Sequence, residues 1–502
     1  MRQRGLTIAI AVAVALVLAR SAVYLIWEQA GFDSDQAIFG LMAKHLVEGR
    51  AFPMFIYGDS YLLAVQSWLA APLFAIFGPS VAVLKIPVVA INAVTAALLV
   101  WILHRDAKLS PPMALLAAMF FAFAAPVMAK LLVETGGGNP EPFLYVLILW
   151  MLRDRPLAFG LVFGLGFIHR EFTLYGVTAI VAISVLADRR LNTDRLKAVA
   201  LAGIGYLVVA QAVRAAFLFS TPFGPGTTID ATRVSFGSSE LAGRICFAPE
   251  TIVPAMLGLF GNYLGFPFGA TSERLVTFGV RSVLPASATF WPVLGVVFGM
   301  ALTRVIWLSI RNRRPLWAGP AAVGTFLLLV GLQSGVVYAL TRCGRLEPDT
   351  LRYALLMLYI GVGIATLYFI YETERPLRLA MAGAIVAWTV ITAVAHGRLL
   401  DEYLNREPGG PHRALATYLA DRGIKYARSD YWTAYTTTFF ANETVLVDAI
   451  DTMRIRVYQK EVAAHDDEAV NVQREPCRDG TGEEAVAGTF WLCRRNRLIP
   501  DP

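Results

Sequence analysis

Charged residues are scarce in this sequence. Only 16% of its 502 residues are Asp, Glu, Lys or Arg, whereas a soluble protein has roughly 25%. Histidine and cysteine are also rare, and no CxxC pair with the spacing of metal ligands occurs. No internal repeat or low-complexity segment stands out. This composition excludes a disordered chain, a fibrous chain and a soluble enzyme, and the lack of repeats argues against a transporter built from inverted halves.

Apolar and aromatic residues, in contrast, make up 56% of the chain and form long blocks. A block of about twenty such residues can cross a hydrocarbon core of roughly 30 Å as a helix. The pattern therefore predicts an α-helical polytopic membrane protein with about eleven transmembrane helices. The predicted spans are 6–27, 80–103, 111–130, 139–152, 156–168, 171–187, 197–219, 286–310, 316–341, 352–371 and 377–396.

The formal net charge of +7 comes from short cation clusters between the apolar blocks, which is not the pattern of a nucleic-acid-binding surface. The clusters occupy alternate connections, and the positive-inside rule places them in the cytoplasm. We therefore predict a cytoplasmic N-terminus and an outer location for the loops 28–79 and 220–285 and for the C-terminal tail. The clusters are Arg2 and Arg4; His104, Arg105 and Lys108; Arg153 and Arg155; Arg189, Arg190, Arg195 and Lys197; Arg311, Arg313 and Arg314; Arg375 and Arg378.

Two parts of this topology have alternatives. The spans 139–152 and 156–168 are shorter than a usual crossing, which predicts a tilted hairpin that enters a cavity. The N-terminal sequence MRQR, followed by an apolar run and by Ala19-Arg20-Ser21, is also compatible with a cleaved signal peptide. Cleavage would leave the later orientation unchanged.

The composition turns polar after His396. This change predicts a membrane domain of residues 1–396 and a small soluble α/β domain of residues 397–502 outside the membrane. Within the soluble domain, the spacing of apolar residues predicts a helix over 413–422 and strands over 424–428 and 444–447, with an aromatic stretch at 431–440 between them. The domain has no GxGxxG segment that would support nucleotide binding.

All four cysteines fall on the predicted outer side, where thiols can oxidise. They are Cys246, Cys343, Cys477 and Cys493. Cys477 and Cys493 lie in one small soluble segment and are the favoured disulfide pair, with four free thiols as the alternative.

The first outer loop, 28–79, is too long for a simple connector, and loops of this length are usually functional. It carries two carboxylates, Asp33 and Asp35, directly after the first span. Apolar residues recur at helical spacing from Asp35 onwards, which predicts an amphipathic helix on the membrane surface. We place the apolar segment 61–77 in the interface as a second helix, because a crossing there would reverse the orientation of every later cationic loop.

The order of these features resembles the GT-C membrane glycosyltransferases, in particular the branch of the protein O-mannosyltransferases and aminoarabinose transferases. The resemblance covers residues 28–175 and the overall helix count. It consists of an acidic motif after the first helix, two juxtamembrane helices joined by Tyr57-Gly58, and Gly78-Pro79-Ser80 before a helix that carries Lys85. In the later half it rests on Arg352-Tyr353 at the outer start of a helix and on the external C-terminal domain.

The resemblance implies an inverting glycosyltransferase that moves a sugar from a polyprenyl-phosphate donor to an acceptor hydroxyl. The reaction would take place on the periplasmic or lumenal side of a membrane such as the bacterial inner membrane. Asp35 would be the general base with Asp33 as a second catalytic acid, and Lys85 and Arg352 would hold the lipid phosphate. The other candidate substrate-binding residues are Tyr57, Glu134, Glu141, His169, Arg170, Glu171 and Tyr353.

Each of these residues also has a structural alternative. Asp35 could serve only as a helix N-cap, Lys85 could extend to the membrane interface, and Arg352 with Tyr353 could be an ordinary interfacial pair. The acids and cations near residues 134 and 170 could be solvated or could cap a hairpin.

The sequence departs from the family at one position. Family members have Asp-Glu in the first loop, where this chain has Asp35-Gln36. The base would then be Asp35 alone or Asp35 assisted by Asp33. The missing acid also weakens the case for a divalent metal, since hard cations prefer several carboxylate oxygens, and no other cofactor is predicted.

Two other functions remain as alternatives, namely a membrane transporter or lipid flippase and a noncatalytic sugar-lipid binding subunit. The sequence does not distinguish among a lipid, a polysaccharide and a protein acceptor. The expected partners are the polyprenyl-phosphate sugar, this acceptor and the membrane lipids, and no nucleic acid.

Overall fold

The computed structural model describes residues 2–27, 31–58, 62–188, 193–220, 249–258, 265–269, 291–341, 348–477, 482–486 and 488–493. Most of the predicted outer loop 220–285 lies outside the described residues, as do Cys246 and Cys343. The described part is mainly helical, with a small sheet near the C-terminus. The predicted class, a polytopic helical membrane protein with a small α/β unit, is confirmed.

Seven helices in the described part of the chain are long and apolar enough to cross a membrane. Each corresponds to one predicted span, although the last continues to residue 405, beyond its predicted end at 396. Their bounds are Gln3–Ile26, Val81–Arg105, Thr193–Phe217, Pro292–Arg311, Ala321–Leu340, Thr350–Tyr371 and Arg375–Asn405.

Four further apolar helices are shorter, with bounds Val65–Phe77, Glu141–Leu152, Pro156–His169 and Glu171–Ala187. The second and third form the short helical pair that the sequence predicted as a hairpin. Each has a proline in its first turn, Pro142 and Pro156, where the N–H that proline lacks would have no helical partner. The fourth begins with the 3-10 turn Glu171–Thr173. Other short helical segments are Pro249–Thr251, Ile252–Gly258 and Gly265–Phe268.

The predicted span 111–130 is not one continuous helix. The helix Pro111–Ala122 ends, and Pro126–Val133 follows at an angle of 76°. Proline has no backbone N–H to continue a helix and disfavours a helical conformation in the residue before it, which explains a break just before Pro126. The two helices together are still long and apolar enough for one broken span. The structure therefore differs from the prediction in the continuity of the helix, because the prediction weighed hydropathy and overlooked the proline.

The break leaves backbone carbonyl groups without helical partners inside the protein, where such groups must be satisfied. The fully buried Arg20 donates from Nε to the Ala122 carbonyl at 3.1 Å and from Nη2 to Asn92 Oδ1 at 2.9 Å. The His396 Nε2 lies 3.0 Å from the Ala124 carbonyl. Polar side chains from three other helices therefore surround the break.

The helix Ser34–Val47, hereafter the loop helix, is not an amphipathic helix exposed on a membrane surface as predicted. Its residues from Gln36 to His45 are all buried, on every side of the helix. It packs between Val65–Phe77 and Tyr431–Phe440, and its Gly40 faces the ring of Phe439 so closely that a Cβ would lie 2.5 Å from that ring. The polar residues that suggested a solvent face are instead covered by the C-terminal domain.

The C-terminal domain contains a five-stranded mixed sheet. Its strands are β1 (Tyr426–Ser429), β2 (Leu446–Ala449), β3 (Val470–Gln473), β4 (Glu483–Val486) and β5 (Phe490–Cys493). Their order in the sheet is β2-β1-β3-β5-β4. Strand β1 pairs in parallel with β2 and β3, whereas β3, β5 and β4 pair antiparallel. The two predicted strands each begin two residues later than expected, as β1 and β2. The helices of the domain are Pro411–Asp421, Tyr431–Phe440 and Arg456–Ala464.

Cys477 and Cys493 are joined by a disulfide, with their Cα atoms 5.7 Å apart. The bond connects the end of β5 to the segment after β3. It therefore reinforces the antiparallel edge of the sheet.

One carboxylate fastens the C-terminal domain to the loop helix. Glu443 accepts hydrogen bonds from Lys44, from the Nη1 and Nη2 of Arg50 at 2.9 and 2.7 Å, and from the hydroxyl of Tyr458 at 2.8 Å, and it lies 3.0 Å from His45 Nε2. Burial acts to raise the pKa of Glu443, but the hydrogen bonds from His45, Lys44 and Tyr458 outweigh it and lower this pKa to about 2. We call these five residues the docking cluster.

Candidate functional site

A carboxylate, a guanidinium and a phenol from three distant parts of the chain meet at the start of the loop helix. Asp35 Oδ2 lies 3.1 Å from Nη1 of Arg352, and Asp35 Oδ1 accepts a hydrogen bond of 2.6 Å from the hydroxyl of Tyr431. The side chains of Asp35 and Arg352 are 20% and 25% exposed, so the pair remains accessible. Two residues that the sequence singled out are therefore in contact, together with one that it did not.

Local structure fixes each of these three side chains. Asp35 lies in the first turn of the loop helix. Arg352 lies in the 3-10 segment Pro348–Met357, which precedes the helix Leu358–Tyr371. Tyr431 begins the helix Tyr431–Phe440, whose N-cap Asp430 accepts from the backbone of Thr433. Asp35 and Tyr431 lie in the first turns of helices whose N-cap side chains accept backbone hydrogen bonds, so the backbone at these two residues is fixed. The backbone at Arg352 is fixed by the 3-10 segment.

Asp33, not Asp35, is the N-cap of the loop helix. Its Oδ1 accepts from the backbone N–H of Gln36 at 3.1 Å. Burial raises the pKa of Asp33 to about 7, and the nearby carboxylates of Asp35 and Glu134 add to this rise against the opposing effect of Arg352. The residue that caps the loop helix is therefore Asp33, and Asp35 does not have this structural role.

Gln36 occupies the position where the resembling family has an acid. Its side chain is buried, and its Nε2 donates to the Gly31 carbonyl at 2.7 Å while its Oε1 accepts from the Thr135 backbone N–H at 3.3 Å. A carboxylate could not donate to a carbonyl, so an acid would leave the Gly31 carbonyl facing a negative charge. The amide instead connects the start of the loop helix to the turn at residues 134–139.

That turn brings backbone close to the cationic side chains. Gly137 and Gly138 have positive φ angles of 71° and 91°, a conformation that favours glycine. A Cβ on Gly138 would lie 3.0 Å from Arg170 Cγ, and a Cβ on Gly136 would lie 3.9 Å from Arg352 Nη1. Glu134, at the start of the turn, lies 3.4 Å from Lys130 Nζ.

A buried polar group lies behind the turn. Gln66 donates to Glu141 Oε1 at 2.7 Å and accepts from the Gly137 N–H at 3.2 Å. Glu141 Oε2, Asn139 Oδ1 and the Nε2 of His169 have no hydrogen-bond partner, although all three side chains are at most 2% exposed. Buried polar atoms in native proteins are usually paired, so these atoms mark a place where polar groups of a ligand or water could bind.

The guanidinium groups of Arg170 and Arg352 lie on the same aromatic ring. Each is 5.4 Å from the ring centroid of Tyr353, and Arg170 is also 5.2 Å from that of Phe172. Arg170 is 5% exposed, and its Nε has no hydrogen-bond partner. The tyrosine therefore holds two cations near each other, an arrangement suited to an anionic group.

Three other predicted site residues lie in different surroundings. The ammonium group of Lys85, 2% exposed, donates to the Tyr24 carbonyl near the end of the first helix, at 3.2 Å. The hydroxyl of Tyr57 is 2.9 Å from His45 Nδ1, so Tyr57 touches the docking cluster. Glu171 is partly exposed and opens the 3-10 turn after Arg170.

Sequence reasoning missed Tyr431, Gln36 and Gln66. Tyr431 was seen only as part of an aromatic stretch, and its contact with Asp35 joins residues 396 positions apart. No spacing rule in a single sequence reports such a contact. Gln36 was noted as a departure, but its role became clear only from its two buried partners.

The described residues contain no group of three or more His, Cys, Asp or Glu side chains that could hold a metal ion. The expectation about divalent metals therefore stays a prediction.

No protein-family model matches the sequence, and no curated protein matches it significantly. The structure, however, is similar to two crystal structures of ArnT from Cupriavidus metallidurans. The form bound to undecaprenyl phosphate has a TM-score of 0.57, 10% identity and coverage of 97% of both chains. The apo form has a TM-score of 0.56 and 10% identity over 96% of this chain and 98% of that one.

A second similarity is to the oligosaccharyltransferase AglB from Archaeoglobus fulgidus in complex with an inhibitory peptide and a dolichol-phosphate. Its TM-score is 0.51, with 12% identity over 93% of this chain and 69% of that chain. ArnT and AglB are both GT-C proteins. Identities this low establish the fold alone, and they confirm the resemblance noted from the sequence at that level. The chain therefore has the fold of the GT-C membrane glycosyltransferases.

Proposed function

We propose that the chain is a glycosyltransferase that transfers one sugar from a polyprenyl-phosphate carrier to an acceptor hydroxyl, with inversion at the anomeric carbon. The observation that carries this proposal is the accessible pair of Asp35 and Arg352 at the start of the loop helix. It combines a candidate base with a cation in a fold shared with a protein whose crystal structure contains undecaprenyl phosphate.

In the proposed reaction, Asp35 accepts the proton of the acceptor hydroxyl. The acceptor oxygen attacks the anomeric carbon from the face opposite the phosphate, and a new glycosidic bond forms as the bond to the phosphate oxygen breaks. Polyprenyl phosphate leaves with the bonding electron pair. A carboxylate within hydrogen-bond reach of the hydroxyl is the requirement for this step, and the 20% exposure of Asp35 allows such an approach.

The leaving phosphate needs cations, because donors directed at developing charge are often the largest catalytic contribution. Arg352 and Arg170, which share the ring of Tyr353, are the best placed for this role. Lys85 remains the third candidate, on the side of the first helix. The isoprenoid tail would lie among the apolar helices, so no soluble nucleotide sugar is needed.

The buried polar group would bind the sugar. Glu141, Asn139 and His169 each offer an unpaired polar atom to hydroxyl groups, and Glu134 lies at the edge of the same turn. Tyr57 and Glu171 are assigned a peripheral part in substrate binding. Asp33, whose pKa is raised to about 7, would hold the loop helix start in place beside the base.

The cation clusters support an orientation in which the site, the loop helix and the C-terminal domain lie on the outer side of the membrane. The C-terminal domain would cover the site and help to select the acceptor, whether this is a lipid, a polysaccharide or a protein.

A noncatalytic sugar-lipid binding subunit is the second candidate, and Gln36 favours it because an acid is expected there. A transporter or flippase would need ionisable groups that change partners across the membrane. The test is a transfer assay with purified protein, a panel of labelled polyprenyl-phosphate sugars, and acceptor-dependent release of polyprenyl phosphate as the signal.

The decisive variant is Asp35→Asn. We expect transfer to fall about 10²–10⁴-fold, the usual contribution of a general base, while binding of undecaprenyl phosphate changes less than about twofold. Asp421→Asn, an exposed carboxylate of the C-terminal domain, should behave like the wild type. Full transfer by Asp35→Asn would disprove the mechanism, and the absence of transfer with every donor would favour the binding subunit.

A further inference from the structure

We propose that Tyr431 of the C-terminal domain is a positioning residue for Asp35, so that the soluble domain completes the active site and does more than cover it. This inference rests on the proposed function and deepens it. The observation behind it is the 2.6 Å hydrogen bond from the Tyr431 hydroxyl to Asp35 Oδ1.

Tyr431 is itself held firmly. Its backbone N–H donates to Asp451 Oδ1 at 2.8 Å, and its carbonyl accepts from the hydroxyl of Ser34 at 2.6 Å. Its side chain lies among aromatic neighbours, with ring centroids 5.0 Å from Trp432 and 5.4 Å from Tyr435. A phenol fixed in this way can impose an orientation on a partner.

Asp35 receives one donor on each oxygen, Tyr431 on Oδ1 and Arg352 on Oδ2. Two donors at opposite ends of a carboxylate fix its plane as well as its position. A carboxylate has about four lone-pair sites, so roughly two remain for the acceptor hydroxyl. Removal of the phenolic donor would leave Asp35 attached to Arg352 alone and free to turn toward it.

The phenol is a donor and not a second base. Burial raises the pKa of Tyr431, and the adjacent charge of Asp35 raises it further, so the hydroxyl keeps its proton. Tyr431 therefore acts on Asp35 as a hydrogen-bond donor.

Ser34 extends this link along the chain. Its hydroxyl binds the Tyr431 carbonyl and lies 3.1 Å from the hydroxyl of Thr436, while the next residue is Asp35 itself. Adjacent residues of the loop helix therefore contact the backbone and the side chain of one tyrosine. These contacts fix the position of the helix Tyr431–Phe440 relative to the loop helix at the site of the proposed reaction.

The test compares Tyr431→Phe with Tyr435→Phe in the full-length protein, using the labelled polyprenyl-phosphate sugar that the wild-type protein transfers. Both changes remove one buried phenolic oxygen from the same helix, but the Tyr435 hydroxyl accepts from the backbone of Arg454 and Ile455 and does not touch Asp35. Thermal unfolding of both variants reports their folding.

For Tyr431→Phe we expect kcat to fall about 10- to 100-fold, the range that corresponds to a lost hydrogen bond to a charged group. The KM for the donor should stay within about twofold, because the phosphate and sugar contacts remain. Ser34→Ala, which releases the Tyr431 backbone but keeps the phenol, should give a smaller fall in kcat.

Tyr435→Phe should lower thermal stability while kcat stays within about twofold of the wild type. An unchanged kcat in Tyr431→Phe would overturn the inference, and so would equal effects of the two phenylalanine variants on kcat. Failure of the proposed function is distinguishable, because Asp35→Asn would then retain activity or the wild-type protein would transfer no sugar.

Discussion

Two carboxylates, Glu443 and Asp35, lie where the loop helix meets the C-terminal domain, and they differ in how many hydrogen bonds they accept. Glu443 accepts from Lys44, Arg50 and Tyr458, contacts His45, and its side chain is 7% exposed. Asp35 has one donor on each oxygen and is 20% exposed. Because a carboxylate has about four lone-pair sites, Glu443 has no capacity left for a ligand, whereas Asp35 has.

The difference suggests two separate roles in one interface: Glu443 attaches the domain, and Asp35 is available for the proposed reaction. A saturated, buried carboxylate contributes to the position of the domain, and removal of one partner leaves other buried charges unpaired. A carboxylate with open lone pairs can receive a proton from a substrate. The sequence positions alone, one acid in each domain, do not reveal this division of roles.

The largest effect on stability is expected from Glu443→Gln. It removes the charge that balances Lys44 and Arg50, and we expect the free energy of unfolding to fall by roughly 3 kcal/mol. Thermal and denaturant unfolding in detergent would measure the change. Glu483→Gln, which breaks an exposed pair with Arg422, should cost at most about 1 kcal/mol. Comparable losses in the two variants would contradict the role of the docking cluster.

Asp35→Asn, measured in the same unfolding experiment, should lose much less stability than Glu443→Gln. The carboxylate is partly exposed, so we expect a change in the free energy of unfolding of about 1 kcal/mol or less, despite the large loss of transfer. A loss as great as that of Glu443→Gln would show that Asp35 is a structural residue.

Asp33→Asn should change how stability depends on pH. The pKa of Asp33 is about 7 in the folded chain, above its ordinary value of 3.8, so the folded state binds this proton more tightly than the unfolded state. The resulting stability is fully present below pH 3.8 and is lost as the pH rises toward 7. Asparagine keeps the N-cap but binds no such proton, so this decline should be absent in the variant, as measured by unfolding between pH 4 and 8. An identical pH dependence in the variant and the wild type would contradict the raised pKa.

The smallest effect on sugar transfer is expected from Tyr57→Phe. The Tyr57 hydroxyl contacts His45 of the docking cluster at 2.9 Å, so its loss should cost about 1 kcal/mol of stability. Sugar transfer, measured with the donor panel, should stay within about twofold. A large loss of transfer with unchanged stability would show that the part of Tyr57 in substrate binding is direct and not peripheral.

The fold could be predicted because hydropathy and cation placement report on the membrane directly. The seven long helices each had a predicted counterpart, and the strands at 426 and 446 were expected within two residues. The two departures have different causes. The break before Pro126 had a local signal, the proline itself. The burial of the loop helix depends on its neighbours, because a pattern of apolar residues does not show whether a polar face meets water or another domain.

The site was predictable only in part. Asp35 and Arg352 were identified through their positions at the outer ends of helices and through the family resemblance. Tyr431 and Gln66 could not be identified, because they act through contacts between segments that are far apart in sequence. Gln36 shows the limit most clearly, since the departure was visible but its amide hydrogen bonds were not.

The buried Arg20 has a consequence for how the chain is made. Arg20 lies six residues before the end of the first helix. A cation at the centre of an apolar helix costs roughly 2.5–3.5 kcal/mol during membrane insertion, so we expect a cost of at most this size for Arg20. Its partners Asn92 and Ala122 follow 72 and 102 residues later. At ribosomal speeds of about 5–20 residues per second, the last partner emerges roughly 5–20 s after Arg20. We therefore expect the first helix to be retained beside the translocation channel, or at the lipid boundary, until the fourth and fifth helices of the chain have emerged. On this expectation, several helices of the protein integrate together and are not released one by one.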